Sequence, residues 1–425
     1  MKTVKINHIG KTEGHLSFIG AMVDGDFAQA RIETEEGARL IEGILLGRRY
    51  NEAPVITSRI CGICPIVHNL TSIKAMEQAL DVKPTEEILV LRKMLINAQF
   101  IHSHGLHAFF LSFPDLVGIS NNFAFLKKYP QESKLALDVR DWGVELARIV
   151  GGRTVHPINS VIGGFNVEPD FQELDDLIAR SDEVINKTEK LFNFIIKQKL
   201  PKFQRPTNYV SLVNKKEYAI YDGEAYFFDN QETVTAKDLL YDLREGIIPH
   251  EKVKRVKHNT RNIMVGAISR INNSVDQLNP RAKKALQKLK LEMPCFNSFY
   301  NLFFQVVEMI HNIEEVQKLY KPYVKLRKYN GFEKRLFVKF KPNAGKGFAV
   351  MEAPRGVLYH EYELNAKGNI IHANMIPPTT IFLANLEKDL EEYLPKLKNM
   401  SEAKRELAIK TLIRAYDPCI SCATH

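Results

Sequence analysis

The chain has 425 residues, enough for a large buried core, and its 45% hydrophobic and 26% charged content is that of a globular protein rather than a disordered or fibrous one. No apolar run approaches the roughly 20 residues that span a bilayer, and the N-terminal Met-Lys-Thr-Val-Lys-Ile-Asn-His has no signal-like apolar core, so a cytoplasmic location without a membrane span is expected. The formal charge of +9 is mild, because 59 Lys and Arg are diluted by 50 Asp and Glu; the basic runs Lys252–Lys257 and Arg281–Lys284 lack an aromatic stacking motif, read as solvated faces, and give no reason to expect nucleic acid.

Residues 2–33 read as strands, with a hairpin turn at Asp24-Gly25. Residues 34–49 predict a helix with Leu40, Ile41, Ile44 and Leu45 as its apolar stripe and Glu42 set among them. A helix over 66–80 follows, then a longer one from Glu86 to Leu111 whose second half carries His102, His104 and His107. His104 and His107 are one turn apart, but no third ligand is near them in sequence, and a satisfied core or surface role is expected. Amphipathic helices over 131–150 and 170–199 end at Pro201 and Pro206, and 207–235 is strand-like and tyrosine-rich. Helices resume over 281–292 and 298–320. The second carries Glu308-Met-Ile-His311, a Glu-x-x-His without the second copy that a carboxylate di-iron bundle needs. Residues 335–376 alternate as strands with a turn at Lys367-Gly368. A helix then runs from Thr379 to Leu397, and a last one over 400–416 has Asn399 and Glu402 placed as a capping box. The stretch Asn343-Ala-Gly-Lys346-Gly lacks the first glycine and the Ser or Thr of a phosphate loop.

Five cysteines without a secretion signal are not a disulfide framework. Cys295 stands alone in Met-Pro-Cys-Phe-Asn and reads as a small buried hydrophobe. The other four form two Cys-x-x-Cys pairs at opposite ends: Arg59-Ile-Cys61-Gly-Ile-Cys64-Pro-Ile-Val-His68 and Asp417-Pro-Cys419-Ile-Ser-Cys422-Ala-Thr-His425. Two thiolates three residues apart reach one ion, so each pair can clamp a metal. One possibility is a structural zinc site, although such sites usually draw both pairs from a short stretch. The other is a catalytic centre of nickel, iron or copper, which soft thiolates suit. Four thiolates around one divalent ion leave excess negative charge, which a second metal sharing two of them would offset.

The pattern Arg-x-Cys-Gly-x-Cys-x-x-x-His near the start and Asp-Pro-Cys-x-x-Cys-x-x-His at the end resembles the large, catalytic subunit of NiFe hydrogenases, in their cytoplasmic, cofactor-coupled branch. Lys11-Thr-Glu13-Gly-His15, Glu352-Ala-Pro-Arg355-Gly and Pro378-Thr379-Thr380 resemble three further motifs of that family, in order, so the resemblance covers the whole chain. It implies an α+β, predominantly α fold, a long-helix bundle with small peripheral sheets. The chain is then one domain, 1–425, with a β-rich part over 1–60, a helical core over 61–200, a β-containing insertion over 201–280, and helices, a β-hairpin and the ligand segment over 281–425.

The resemblance implies that Cys61 and Cys419 are terminal nickel ligands and that Cys64 and Cys422 bridge to an iron carrying cyanide and carbon monoxide. Arg355 and Thr379 would hydrogen-bond the cyanides, with Pro354, Leu358 and Pro378 lining the apolar side. Glu42, His425 and the carbonyl of Met375, with Ile376 close behind, would hold a magnesium ion. The implied reaction is reversible heterolytic cleavage of dihydrogen, with the Cys419 thiolate or the Arg355 guanidine as first proton acceptor and Glu13 as relay. Asp417 would orient Arg355, and His68 would tune a bridging sulfur. A chain ending at His425 matches the family's mature form, after removal of a tail. With four cysteines at the centre, iron–sulfur clusters must sit on a small subunit. Flavin or diaphorase-type subunits would then pass electrons to NAD(P), ferredoxin or a deazaflavin. Where membrane-attached members have an aspartate between two histidines, this chain has Ser103. The alternatives are a structural zinc protein and a nickel-free relative like the corresponding component of respiratory complex I, which lacks the cysteine pairs.

Overall fold

Helices that are apolar or small on nearly every face belong in an interior. Pro65–Ala79 is such a helix, with every residue from Pro65 to Ile73 buried, and Glu86–Leu106 is another. In the computed structural model, which describes residues 2–23, 26–34, 36–119, 121–246, 252–258, 261–330 and 336–425, these two helices form the centre. Glu86–Leu106 packs between Pro130–Gly151 and Asn301–Asn330. The expected Asp24-Gly25 turn lies outside the described residues.

Two antiparallel three-stranded sheets flank the bundle. One joins Lys2–Ile6, Leu16–Val23 and Asp26–Thr34; the other joins Gly345–Ala353, Gly356–Leu364 and Ile370–Ile376. A four-stranded sheet is built from Ile263–Met264, Asn208–Val213, Glu224–Phe227 and Glu232–Val234, in that order. One cluster of buried apolar side chains runs from Ile6 to Ala423. The outcome is the predominantly helical mixed fold with small sheets implied by the sequence.

The Gly-Lys-Gly of residues 345–347 has a packing reason. Its strand lies on Pro65–Ala79 so closely that a Cβ at Gly347 would stand 2.0 Å from the Ala75 carbonyl oxygen, and one at Gly345 would stand 1.9 Å from that of Ala79. Glycine here lets a strand touch a helix backbone. That helix starts at the residue after Cys64, so the contact helps to fix the first cysteine pair.

Several sequence expectations need correction. The 34–49 helix shrinks to Ile41–Leu45, followed by short turns and the helix Ala53–Thr57; Leu40 and Ile44 are exposed, so the apolar stripe is only half used. Glycines at 43 and 47 weaken helix propensity there. The 170–199 helix divides at Arg180 into Phe171–Ala179, capped by the Asp170 side chain, and Ser181–Ile195. The 281–292 helix ends at Gln287. The 298–320 helix begins at Asn301 and runs through Pro322 to Asn330, because Tyr323 and Arg327 beyond the proline are fully buried and hold it. The last helix spans Glu402–Ala415 from an N-cap at Ser401 that makes no side-chain bond, so the Asn399–Glu402 capping box is not formed.

Gly347→Ala forces the strand off the helix and is expected to destabilise the chain by about 1–3 kcal/mol. A chemical-denaturation midpoint lowered at unchanged slope checks this.

Candidate metal centre

Both cysteine pairs are delivered at chain reversals. Cys61 follows the turn Ser58–Ile60, and Cys64 directly precedes the Pro65 helix, where backbone N–H groups are free to face a thiolate. The Cys61 Sγ accepts from the N–H groups of Ile63 and Cys64, both at 3.3 Å. At the other end the helix Glu402–Ala415 stops, Asp417 takes a left-handed turn with φ 53°, and Cys419 is extended before the short helical turn Ile420–Ala423. The Glu13 loop bridges to this segment, the Ile420 N–H donating to the Glu13 carbonyl at 2.9 Å.

The four sulfurs meet. Cys61 and Cys419 are 3.4 Å apart, Cys64 and Cys422 3.3 Å, Cys419 and Cys422 3.0 Å, and all four Sγ atoms lie within 4.8 Å of one another. All are buried and none is in a disulfide. In the bare chain, hydrogen bonds from Cys419 and Cys422 hold the Cys61 thiol well below its usual range, while burial pushes those of Cys419 and Cys422 well above it. A cation is what such a set accommodates, because only positive charge lets all four ionise in a dry site.

Arg355 supplies one such charge. It sits on the two-residue turn between the paired Ala353 and Gly356. Its Nε donates to the Asp417 carbonyl at 2.8 Å and to Asp417 Oδ1 at 3.1 Å, and its Nη2 donates to Oδ1 at 2.9 Å. Burial works against its charge, but the Asp417 carboxylate and the nearby sulfurs outweigh it and raise its pKa well above the usual value. Its Nη1 is buried and has no hydrogen-bond partner among the described residues. An orphaned guanidinium nitrogen beside four sulfurs calls for an acceptor that is neither backbone nor side chain. Thr379 is equally placed: its Oγ accepts from the Cys419 N–H at 3.1 Å, which leaves its hydrogen available. Pro354, Leu358 and Pro378 are buried.

Glu13 stands 3.1 Å from the Cys419 sulfur through Oε2, which also accepts from the Ser421 N–H at 3.0 Å; Oε1 accepts from the Ser421 hydroxyl. His68 Nε2 is 3.5 Å from the Cys422 sulfur, and its Nδ1 faces His360 Nε2 at 3.3 Å. Burial lowers its pKa to about 3, which keeps the ring neutral. Beyond the sulfurs, His425 Nε2 lies 3.0 Å from Glu42 Oε1 and 3.0 Å from the Met375 carbonyl oxygen. Burial opposes ionisation of Glu42, but the hydrogen bond and charge of His425 outweigh it and lower its pKa. A single ring nitrogen thus faces two oxygens, and carboxylate, carbonyl and imidazole together form a donor set for a hard cation.

Most of the residues singled out from sequence converge: Glu13, Cys61, Cys64, His68, Arg355, Thr379, Asp417, Cys419 and Cys422 lie at one centre, and Glu42, Met375 and His425 at a second, joined where His425 Nδ1 meets the Cys422 carbonyl at 2.7 Å. His104, His107 and Glu308 are buried, the core alternative for the two histidines; His104 Nε2 pairs with Glu308 at 2.8 Å. Cys295 is buried too. Sequence did not single out Gln305, whose Nε2 donates to Asp417 Oδ2 at 3.2 Å and whose Oε1 meets His107 Nδ1 at 2.6 Å, nor Ser421, His360 or Arg39, whose Nη2 donates to the carbonyls of Ile60 and Ser421 beside the two cysteine pairs. Only Ser421 had a signal, its place inside the second Cys-x-x-Cys.

Fold and site together define a buried redox metalloenzyme centre rather than a closed zinc staple, which has no use for an orphaned arginine. A family model described as nickel-dependent hydrogenase matches residues 39–142 and 253–425. The chain is 30% identical to the alpha chain of sulfhydrogenase 1 from Pyrococcus furiosus, over 99% of this chain and 97% of that one. It is 29% identical to a component of the F420-non-reducing hydrogenase vhu of Methanocaldococcus jannaschii, over 83% of this chain and 89% of that one. Among solved structures, a crystal structure of an NAD+-reducing NiFe-hydrogenase in the H2-reduced state superposes with a TM-score of 0.90 at 26% identity, covering all of both chains. The chain belongs to the nickel-dependent hydrogenase family. It is the large, catalytic component of such an enzyme, an oxidoreductase acting on dihydrogen, and its four cysteines fit a nickel–iron centre.

Asp417→Ala strands Arg355 as an unpaired buried charge and is expected to destabilise the chain by about 3–5 kcal/mol. Asp417→Asn keeps the turn, since Asn also tolerates positive φ, and loses less. Denaturation of the two metal-free variants side by side checks the order.

Proposed function

We propose that this protein splits dihydrogen heterolytically and that Cys61, Cys64, Cys419 and Cys422 would hold a nickel–iron pair carrying cyanide and carbon monoxide, with Cys64 and Cys422 as the residues that would contact both metals. The observation that supports this most directly is the partnerless Nη1 of Arg355 beside four buried sulfurs. A cyanide nitrogen would be the acceptor that it lacks, and the one hydroxyl hydrogen of Thr379 would serve another; Pro354, Leu358 and Pro378 would give the carbon monoxide an apolar wall. When bound, the metal pair supplies Lewis acidity and a redox reservoir that dihydrogen cleavage needs.

The protein's own residues then manage the proton. Cys419 and Arg355 are the two nearest candidates to receive it. Glu13 lies within one hydrogen bond of the Cys419 sulfur and takes it onward, with Ser421 holding the carboxylate in place. Asp417 fixes the Arg355 guanidinium in plane, and neutral His68 donates toward the Cys422 sulfur, tuning it without adding charge. Magnesium is the hard cation that suits Glu42, His425 and the Met375 carbonyl, and it would tie the C-terminus to the core.

Electrons leave through a partner. Cys295 is the one cysteine outside the centre, and a single thiol cannot hold an iron–sulfur cluster. An iron–sulfur small subunit is the partner of choice, with flavin-bearing, diaphorase-type subunits passing electrons to NAD(P), ferredoxin or a deazaflavin in the cytoplasm. Among these acceptors, the relative named as an NAD-reducing hydrogenase subunit supports NAD, while the relative named F420-non-reducing lends a deazaflavin no support.

Nickel and iron near one each per chain, with infrared bands of iron-bound cyanide and carbon monoxide, is the expected result; zinc alone, or no metal, would sink the proposal. Glu13→Gln is expected to keep both metals and both sets of bands while stopping exchange between dihydrogen and solvent protons. Undiminished exchange in that variant would remove Glu13 from the route.

A further inference from the structure

Arg355 stands at the tip of a two-residue hairpin turn, where a long side chain is placed by whatever holds the turn. The turn lies flat on the segment leading into the helix Ala267–Ser274. A Cβ at Gly356 (φ 129°) would meet the Val265 side chain at 2.4 Å and the Gly266 nitrogen at 2.8 Å, and one at Gly266 (φ 103°) would stand 3.3 Å from the Arg355 carbonyl. From that helix Arg270 reaches back. Its Nη1 donates to the Ala353 carbonyl and its Nη2 to the Pro354 carbonyl, both at 3.0 Å, the two peptide oxygens immediately before Arg355.

We infer that Arg270 is a positioning residue for hydrogen activation: it clamps the carbonyls of Ala353 and Pro354 and so sets where the Arg355 guanidinium stands above the four sulfurs. The inference rests on the role given to Arg355 above.

Each N–H of Arg270 is used. Besides the two carbonyls, Nε and Nη2 make a bidentate pair with Glu308 at 2.6 and 2.7 Å, and Nη1 meets Glu352 at 2.7 Å. The guanidinium is 1% exposed and lies 5.0 Å from the centre of the Phe100 ring. Its two carboxylates are themselves fixed from other elements. Glu308 accepts from the Tyr218 hydroxyl at 2.7 Å and pairs with His104 at 2.8 Å; Glu352 accepts from the Leu212 N–H at 2.8 Å. The turn is thereby referenced to the helices Glu86–Leu106 and Asn301–Asn330 and to the strand Asn208–Val213, not only to its own hairpin. If a salt bridge were all that was needed here, Arg270 and Glu308 would suffice. The two donors spent on backbone oxygens are what distinguish a clamp, and an ammonium cannot supply this planar fork.

Arg270→Lys keeps the charge and removes the fork. Turnover is expected to fall by about 10- to 100-fold, the scale of a misplaced catalytic group, with nickel and iron content unchanged. The cyanide infrared bands should move in the same direction as in Arg355→Lys. In the metal-free chain, amide exchange should quicken at Arg355 and Gly356 but not along Asn301–Asn330. The decisive arm is the double variant: if Arg270 acts through Arg355, adding Arg270→Lys to Arg355→Lys costs little further activity. Where Arg270→Lys fails to accumulate as folded, loaded enzyme, Glu352→Gln carries the same measurements. Burial pushes the Glu352 carboxyl up to about 7, so a neutral amide mimics a form the folded chain already holds, while the grip on Nη1 is loosened. Unmoved infrared bands, or losses that simply multiply in the double variant, would overturn the clamp and leave Arg355 in place. Full activity in Arg355→Lys alone would instead strike at the role of Arg355 itself.

Discussion

Four buried sulfurs drawn from opposite ends of the chain must be kept within a few ångströms of one another, and their charge must be offset in a place that water does not reach. Most of the structure around the centre answers that requirement. The Asp417–Arg355 pair is the first part of the answer. Arg355 brings positive charge to the sulfurs, and Asp417 keeps that charge from being stranded. Because Asp417 sits two residues before Cys419, the same pair that balances charge also fixes the backbone delivering the second cysteine pair. Charge compensation and chain placement are one interaction here.

The second part is how the termini are held to each other. Lys11 donates to Asp115 at 2.5 Å, Arg414 pairs with the other oxygen of the same carboxylate, and Arg414 Nε donates to the Gly10 carbonyl at 2.8 Å. Lys11 is two residues from Glu13, and Arg414 is three from Asp417. A single buried carboxylate at the end of the histidine-bearing helical region therefore links the proton-carrying loop to the metal-binding segment. The parallel bridge between Glu13 and Cys419 continues the same tie. Glu13 meets the Cys419 sulfur because three ion-paired side chains hold its loop, not because the loop is rigid by itself.

Legibility in the sequence followed the same division. The cysteines, Glu13, Arg355, Thr379, Asp417 and His425 could be named because each lies in a short motif where neighbours carry the signal. Even Glu42, a lone acid in an apolar stretch, was visible as an anomaly, although the helix expected around it is largely absent and Leu40 and Ile44 point to solvent. Arg270, Gln305, His360 and Asp115 left no such trace. Each is a single polar residue whose partner is far away in sequence, and nothing in a one-dimensional pattern pairs position 270 with 308 and 352. Helix ends failed for a related reason: Pro322 should have broken a helix, but tertiary burial of Tyr323 and Arg327 overrode local preference. The periodicity of the long central helices survived because their burial is uniform.

Ser103 shows how finely the charge is set. It lies between His102 and His104 on the central helix, fully buried, with a hydroxyl that has no partner among the described residues. The membrane-attached pattern places a carboxylate at this point. With serine here, the neighbourhood is spared a second buried anion. Burial lowers the pKa of His102 to about 3, so that ring adds no cation. Arg355, paired with Asp417, is then the nearby cation that the sulfurs feel, and the rest of their charge calls for a metal. A carboxylate in place of Ser103 would need a cation or a proton of its own in a dry interior. Among the described residues Asp417 is the anion that Arg355 pairs with, which ties the guanidinium to the segment that carries Cys419.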